Sequence, residues 1–230
     1  MTVPEARRDP ELARFDLRRK RLQLPGGIVS LVVPASMGAL VHGEGADDPD
    51  RQPYWAEIWP ASLGLARLLL KGPDLTGCRV LDLGCGVGLA GTAAGMKGAH
   101  VFFADREPAA LPFARFNAAH NGAQAVETLS FDWNGEAPLP TFDLVLLADV
   151  TYSERNHAPL LRVLERCLAP EGYALACDPF RDGGATFAQG AARVFECAQT
   201  ESDCFFDDRR LALRVLEIRR RRVAGGQTEL

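Results

Sequence analysis

The stretch VLDLGCGVGLAG, residues 80–91, decides the fold of this chain. Its first half is an apolar run that contains Asp82 near its end, and its second half is a glycine-rich turn. The segment Gly86-Val87-Gly88-Leu89-Ala90-Gly91 matches the pattern G-x-G-x-x-G, which holds a pyrophosphate. The overlapping segment Asp82-x-Gly84-x-Gly86-x-Gly88 matches a second type of loop, whose ligand carries no phosphate. The rest of the chain has to distinguish between these two ligands.

From residue 78 onward, apolar strand-like runs alternate with helix-like segments. The runs predict strands at 78–84, 100–105, 126–133, 142–150, 173–179, 201–208 and 211–220. The segments predict helices at 60–72, 89–98, 107–122, 153–172 and 184–195. Because near-continuous apolar strands that alternate with helices form parallel sheets covered on both faces, we predict a doubly wound α/β fold. The last two strands have no helix between them, so they predict an antiparallel hairpin at one edge of the sheet.

The segments outside this region divide the chain into three parts. Residues 1–52 predict an N-terminal extension, with strand material in PGGIVSLVV (25–33) and a polar linker from residue 42 that we expect to be mobile. Residues 53–222 form the predicted ligand-binding domain. Residues 223–230 are predicted to be a frayed tail.

Composition and charge argue against several classes of protein. The net charge of -4 gives no reason to expect a nucleic-acid partner. The six cysteines include no C-x-x-C pair, which favours reduced thiols, and the four histidines lack metal-ligand spacing, so we expect no metal site. Since neither a targeting segment nor an apolar stretch of about 20 residues is found, we predict a cytoplasmic protein without a membrane association. A monomer is favoured, although the sequence does not determine the oligomeric state.

Aspartates lie at or near the ends of successive predicted strands, at the edge where a doubly wound sheet binds its ligands. These aspartates are Asp82, Asp105, Asp132 and Asp149. The carboxylate of Asp82 would repel a pyrophosphate, and no Lys or Arg lies between Leu81 and Met96 to offset it. S-adenosylmethionine suits acidic surroundings better, because its sulfonium and amino groups are both cationic. Its carboxylate can accept hydrogen bonds from the N-terminal N–H groups of the following helix.

Two of the strand ends suggest contacts to a nucleoside. Asp105 lies 19 residues after Gly86, where a carboxylate can accept from both ribose hydroxyls of either NAD or S-adenosylmethionine. Asp132 and Trp133 can accept from an adenine amino group and stack on its ring. Trp133 can equally be a rim aromatic that covers the core. The pattern favours S-adenosylmethionine, and it leaves an NAD-dependent oxidoreductase or a non-catalytic cofactor-binding module as alternatives.

These residues together resemble the class I, seven-β-strand S-adenosylmethionine-dependent methyltransferases, over residues 53–181 and more loosely beyond. The chain is most similar to the family-16 group, which includes protein-lysine methyltransferases such as the enzyme for the electron-transfer-flavoprotein β-subunit, and bacterial relatives described as nicotinamide N-methyltransferase-like. The similarity is carried by PYWAEIWPASLGLARLLL (53–70), GAHVFFADREP (98–108), LLADVTYSE (146–154) and CDPFR (177–181). The resemblance implies a Rossmann-like sheet of seven strands.

The resemblance also implies an enzyme that binds S-adenosylmethionine and releases S-adenosylhomocysteine. The cofactor-binding residues that it implies are Trp59, Asp82, Gly84, Cys85, Gly86, Gly88, Asp105, Arg106, Asp132, Trp133 and Ala148. Asp149 and Tyr152 match the Asp-x-x-Tyr motif of the group, which implies catalytic and substrate-binding roles for both. The implied acceptor is a lysine side chain of a protein, and a small nicotinamide-like amine is the alternative.

The chemistry of lysine explains why an aspartate and aromatic residues suit such a site. A free lysine, with a pKa of about 10.4, is charged at neutral pH and must lose a proton before it can attack. Asp149 can hold the ammonium by a charge-assisted hydrogen bond, and Tyr152 can add a hydroxyl or an aromatic wall. Tyr54 and Trp55 can extend that wall. The structural alternative is that Asp149 caps the helix near Ser153 and Tyr152 serves in packing.

Overall fold

A computed structural model describes residues 2–41 and 52–222 of the chain. Most of the predicted mobile linker and the predicted frayed tail at 223–230 lie outside the described residues. The strands are β1 (Leu17–Leu24), β2 (Gly27–Pro34), β3 (Arg79–Leu83), β4 (His100–Asp105), β5 (Ala125–Ser130), β6 (Phe142–Ala148), β7 (Leu168–Asp178), β8 (Glu196–Phe206) and β9 (Arg209–Arg219). The helices are α1 (Val3–Ala6), α2 (Pro10–Ala13), α3 (Pro60–Lys71), α4 (Leu89–Met96), α5 (Ala110–His120), α6 (His157–Cys167) and α7 (Asp182–Val194).

The main sheet has seven strands in the order β5-β4-β3-β6-β7-β9-β8. The pairs from β5 to β7 are parallel, whereas β9 is antiparallel to both β7 and β8. The order in which strands are added therefore reverses at β3, because β4 lies on one side of it and β6 lies on the other. Ligands of doubly wound sheets bind at such a switch point. The predicted fold, a mostly parallel seven-stranded sheet with an antiparallel C-terminal hairpin, is confirmed.

Helices cover both faces of this sheet, because the side chains of each central strand alternate between two apolar clusters. Val80 belongs to the cluster that includes residues of α3, α4 and α5, and its neighbour Leu81 belongs to the cluster that includes residues of α6 and α7. Both side chains are fully buried. Burial on both faces explains why these strands are continuously apolar in the sequence.

The N-terminal segment forms an antiparallel hairpin of β1 and β2, joined at Pro25 and Gly26. The sequence predicted strand material in β2, but it did not predict β1, in which four consecutive basic residues (18–21) obscure the alternation of side chains. Leu17 and Leu24 are nonetheless buried at the two ends of β1. Leu31 of β2 lies in the same apolar cluster as the residues of α3, α4 and α5.

Several predicted ends were wrong by a few residues, each for a local reason. The helix predicted at 153–172 ends at Cys167, because the chain already pairs with β6 from Leu168 onward. The strand predicted at 142–150 ends at Ala148, since Asp149 takes a positive φ of 59°. The strand predicted at 201–208 begins earlier, at Glu196, where it pairs with Arg219.

Candidate active site

The glycine-rich turn between β3 and α4 forms the floor of the site. Gly84, Gly86 and Gly88 all have positive φ, at 72°, 51° and 82°. Side chains at the first two positions would also collide with neighbours: a Cβ at Gly84 would lie 2.7 Å from Val150 Cγ1, and one at Gly86 would lie 2.9 Å from the carbonyl oxygen of Trp55. Glycine is therefore needed both for the conformation and for the close approach.

A cavity of about 890 Å³, including its open mouth, lies above this turn at the carboxyl edge of the sheet. The predicted site residues that line it are Trp55, Trp59, Asp82, Gly84, Cys85, Gly86, Asp105, Arg106, Trp133, Ala148, Asp149 and Tyr152. Two predicted residues do not line it. Gly88 is the N-cap of α4 and faces Ala114 and Phe103. The exposed Asp132 accepts hydrogen bonds from Asn134 within its own turn.

Two buried carboxylates accept hydrogen bonds from the backbone of the glycine turn and of the first turn of α4. Asp82 Oδ2 accepts the backbone N–H of Gly91 at 2.8 Å, and burial raises the pKa of Asp82 to about 7. Asp105 accepts the N–H of Gly86 at 2.9 Å through Oδ2 and that of Glu107 at 2.9 Å through Oδ1. Burial also raises the pKa of Asp105. Each oxygen of Asp105 keeps a second lone pair, which leaves it able to accept from a ligand hydroxyl.

Trp133 lies beside the glycine turn, where a Cβ at Gly84 would be 3.1 Å from its ring. Its Nε1 is buried and has no hydrogen-bond partner among residues 2–41 and 52–222. A buried indole N–H usually has an acceptor, so this unpaired donor is a feature that a bound ligand could satisfy. The thiol of the neighbouring Cys85 is buried too, and burial raises its pKa well above the usual value for a thiol.

A second pocket, of about 460 Å³, opens beside the cavity and is lined by Tyr54, Trp59, Asp149, Tyr152 and Arg181. The Tyr54 ring lies edge-on to Trp59, with centroids 5.7 Å apart, and edge-on to Tyr152, with centroids 6.4 Å apart. Trp59 Nε1 donates to the carbonyl oxygen of Tyr54 at 2.8 Å, which fixes this arrangement. Four of these five residues also line the cavity, so the two spaces adjoin.

Asp149 is the buried acid of this second pocket. Its side chain is only 5% exposed, and its Oδ1 accepts from Arg181 Nε at 2.9 Å. Its Oδ2 is buried without a hydrogen-bond partner in the described part of the chain. Asp149 does not cap the helical turns that begin near Ser153, because neither of them has a side-chain capping hydrogen bond. The arrangement leaves one acceptor oxygen for a ligand.

Trp55 lines the cavity but not the second pocket. Its ring packs against Phe15 and Phe113, with centroid distances of 6.0 and 5.6 Å, so it belongs mainly to the apolar packing under the N-terminal hairpin. The aromatic wall beside Asp149 consists instead of Tyr54, Trp59 and Tyr152. A role for Trp55 in substrate binding stays a prediction.

Sequence reasoning did not assign four charged residues to the site: Glu57, Glu107, Arg155 and Arg181. Arg181 follows β7, the strand beside β6, so its position next to Asp149 could have been inferred from strand order. Glu57 lines the cavity and accepts from Arg18 Nη2 of β1, at 2.7 Å to Oε1 and 3.0 Å to Oε2. Because β1 was not predicted, no sequence signal indicated that pair.

Comparison with known proteins identifies the family. A family model described as lysine methyltransferase matches residues 51–188, which is more than half of the chain. The chain belongs to the lysine methyltransferase family. The matched residues include the glycine turn, both buried carboxylates and Asp149, so the family region contains the cavity described above.

Individual relatives agree with this family. The electron transfer flavoprotein beta subunit lysine methyltransferase of Danio rerio is 35% identical over 136 residues, which are 58% of this chain and 52% of the relative. Protein N-lysine methyltransferase METTL21A of Mus musculus is 32% identical over 157 residues, or 64% of this chain and 72% of the relative. The chain spans about half the length of the first of these relatives.

A solved structure agrees with the fold. The TehB-like SAM-dependent methyltransferase of Corynebacterium glutamicum superimposes with a TM-score of 0.55 at 23% identity, covering 69% of this chain and 88% of that one. Within the described ranges, no helix is long and apolar enough to cross a membrane. No cluster of three or more potential metal ligands occurs among those residues either.

Proposed function

We propose that this protein is an S-adenosylmethionine-dependent N-methyltransferase that modifies a lysine side chain of a protein. The observation that carries the proposal is the free, buried Oδ2 of Asp149 in a pocket with three aromatic rings. A lysine side chain has an apolar stem that can pack against such rings, and its ammonium supplies the donor that the oxygen lacks. The relatives described above, which are named as protein-lysine methyltransferases, support the same acceptor.

The lining of the cavity fits S-adenosylmethionine. Asp105 would hold the ribose, Trp133 would stack on adenine, and the turn at Gly84 and Gly86 would hold the amino-acid part, where side chains would block the approach. A cationic ligand would stabilise the ionised form of the Asp82 carboxyl, whereas a pyrophosphate would be repelled by that form. Bound there, S-adenosylmethionine supplies an electrophilic methyl group and becomes S-adenosylhomocysteine.

The residues of the second pocket act mainly by positioning. Asp149 accepts a hydrogen bond from the acceptor ammonium and fixes the nitrogen at the boundary between the two spaces. Tyr54, Trp59 and Tyr152 pack around the stem and exclude water from the reacting nitrogen. Tyr152 is 45% exposed, so solvent reaches the mouth of the pocket and can take the proton that the ammonium loses. Asp149 orients the acceptor without being an obligatory base.

The direct test is transfer of a labelled methyl group from S-adenosylmethionine into a cell extract, which is then separated into protein and small molecules. We expect label in protein, on lysine after hydrolysis. Label confined to small amines would show that the acceptor is a small molecule and not a protein. Stabilisation of the protein by NAD but not by S-adenosylhomocysteine would contradict the proposed cofactor.

Asp149→Asn tests the role of the acid. We expect turnover to fall by about 100-fold, because a displaced acceptor loses alignment, while S-adenosylhomocysteine still binds. Asp143→Asn is the matched control, since Asp143 is an exposed acid at the other end of β6. Full turnover by Asp149→Asn would contradict the orienting role.

We also propose that the protein works in the cytoplasm. The six cysteines are unpaired in the described structure, and burial raises the pKa of Cys167 to about 12. Free thiols in this number are typical of a reducing compartment. Fractionation of cells that produce the protein would test the location, and recovery from a secreted fraction would contradict it.

A further inference from the structure

Arg181 contacts the carboxylate on which the proposed acceptor site depends. Its Nε donates to Asp149 Oδ1 at 2.9 Å, and this hydrogen bond raises the pKa of Arg181. The Arg181 side chain is 43% exposed, whereas that of Asp149 is 5% exposed. Arg181 lines the second pocket but not the cofactor cavity. Its charge therefore lies on the acceptor side of the site.

The backbone of Arg181 is anchored by a hydrogen bond and by its place at the start of α7. Its N–H donates to Asp178 Oδ1 at 2.8 Å, and its position immediately before α7 fixes the direction in which its side chain leaves. Phe180 and Asp149, which follow adjacent strands, both adopt a positive φ, at 56° and 59°. Strained residues of this kind often mark functional positions. With the backbone in this conformation, the guanidinium lies at Oδ1, and Oδ2 has no hydrogen-bond partner among the described residues.

Other charged and titratable groups surround this pair. Asp178, behind Arg181, forms an ion pair with the buried Arg214 at 3.8 Å, so these two charges largely offset each other. The remaining groups that face the pair or line the two adjoining spaces are Tyr54, Tyr152, Cys85, Cys177, Glu57, Asp82, Asp105, Arg106, Glu107 and Arg155. Among these groups, Arg181 is the cation hydrogen-bonded to Asp149.

We propose that Arg181 is a positioning residue for the acceptor amine: it ties one oxygen of Asp149, presents the other oxygen to the amine, and opposes the protonated form of the amine by its positive charge. This inference rests on the proposed function. Asp149 alone would bind an ammonium tightly and raise the pKa of that ammonium, which would favour the unreactive form. With Arg181 present, the carboxylate orients the acceptor but does not hold it fully charged.

The chemistry of the transfer shows why this balance matters. The ammonium first gives one proton to water. The nitrogen lone pair then forms a bond to the methyl carbon, and the electron pair of the broken carbon–sulfur bond stays on sulfur. An acceptor whose pKa is lowered toward neutrality loses the first proton more easily, so more of the bound complex is competent at physiological pH.

The test compares the wild type with Arg181→Met, Arg181→Lys and Arg193→Met in labelled methyl transfer to a protein acceptor, with kcat and KM measured from pH 6.5 to 10. Arg193 lies exposed near the end of α7, so its variant removes the same charge far from the pocket. For Arg181→Met, we expect a lower KM and a kcat profile whose rising limb shifts to higher pH by about one unit, because the charge that opposed the ammonium is gone. We expect Arg181→Lys to restore most of the profile and Arg193→Met to match the wild type.

The outcomes separate this inference from the proposed function. If the wild type transfers methyl groups and the pH profile of kcat for Arg181→Met is not shifted, the role of Arg181 is overturned and the proposed function stands. Loss of activity at every pH, with S-adenosylhomocysteine still bound and no rescue by lysine, would likewise assign Arg181 to packing. A wild type that transfers no methyl group to any lysine would overturn the proposed function itself and, with it, this inference.

Discussion

Asp82 couples the stability of the folded chain to pH. Its pKa is about 7 in the folded protein, against an ordinary value of 3.8, because burial disfavours the charged form. Between these two values the folded state binds a proton that the unfolded state has lost, so the free energy of unfolding falls as pH rises through this window. Burial also raises the pKa of Asp105 and Asp178, so these two carboxyls contribute in the same direction.

Asp82→Asn should therefore flatten this dependence. We expect the wild type to lose about 1 to 4 kcal/mol between pH 5 and pH 8, since one unit of pKa shift corresponds to about 1.4 kcal/mol, and the variant to lose clearly less. Urea unfolding at four pH values, without cofactor, measures the slopes. Equal slopes for the two proteins would show that Asp82 does not titrate in this range.

Gly88 and Gly77 allow backbone strain to be separated from packing. Their φ angles are nearly the same, 82° and 83°, but a Cβ at Gly88 would lie 2.7 Å from Ala114, whereas a Cβ at Gly77 meets nothing within 4 Å. We expect Gly77→Ala to cost about 1 kcal/mol of stability, from strain alone. We expect Gly88→Ala to cost about 1 to 3 kcal/mol more, because α4 and α5 must separate. Equal costs in chemical unfolding would contradict the close contact.

At the level of elements, α5 joins the N-terminal hairpin to the glycine turn through Asn117. This side chain is fully buried. It accepts from Val32 N at 2.8 Å, donates to Val32 O at 3.0 Å and donates to Val87 O at 2.9 Å. Asn121, one turn later, accepts from Ser30 N at 3.0 Å and donates to Ser30 O at 2.8 Å. Only the first of these two asparagines is bonded to the cavity lining, through Val87.

The two asparagines therefore predict different effects of truncation. Asn117→Ala should lower the free energy of unfolding by about 2 to 4 kcal/mol, because it leaves buried backbone groups unpaired, and should weaken S-adenosylhomocysteine binding several-fold. Asn121→Ala should cost about 1 to 2 kcal/mol and leave the affinity unchanged. Calorimetric titration and urea unfolding measure both quantities. An unchanged affinity for Asn117→Ala would show that the hairpin does not support the turn.

At the level of the whole molecule, the hairpin and the main sheet share one apolar cluster. Leu31 of β2, Leu65 of α3 and Phe103 of β4 are all fully buried in it. The pair between Arg18 and Glu57 adds a polar link at the cavity. The segments on the two sides of the boundary predicted between residues 52 and 53 therefore share one packed core. The division of the chain into domains at this boundary stays a prediction.

Removal of residues 1–51 tests this arrangement. We expect the shortened chain to lose its cooperative unfolding transition, because the apolar face under the hairpin becomes exposed. Tryptophan fluorescence during urea unfolding, with S-adenosylhomocysteine binding as a second readout, compares it with the full chain. A shortened chain that unfolds cooperatively and binds with full affinity would make the hairpin a dispensable addition.

Local patterns predicted most of the sheet, whereas contacts distant in sequence escaped prediction. The strands that contain Asp82 and Asp105 were evident because each is apolar and has an acid at or near its end, before a turn. Strand β1 escaped because its basic residues hid its alternation, and Arg181 escaped because its partner Asp149 lies 32 residues earlier. Asp132 was predicted to bind adenine from its place at a strand end. Its carboxylate accepts from Asn134 and does not line the cavity, so its contact with adenine stays a prediction.

The sequence by itself determined the α/β order of elements, the glycine turn and the row of acids at one edge, because each depends on residues that are neighbours in the chain. Only the tertiary structure decided which acids line the cavity, that Tyr54 and Trp59 adjoin Tyr152, and that Arg181 leaves one oxygen of Asp149 free. The physical reason is that burial and pairing of a charge depend on what neighbouring strands bring beside it. A carboxylate that caps a turn and one that receives a ligand are alike in sequence, and they differ in the groups packed around them.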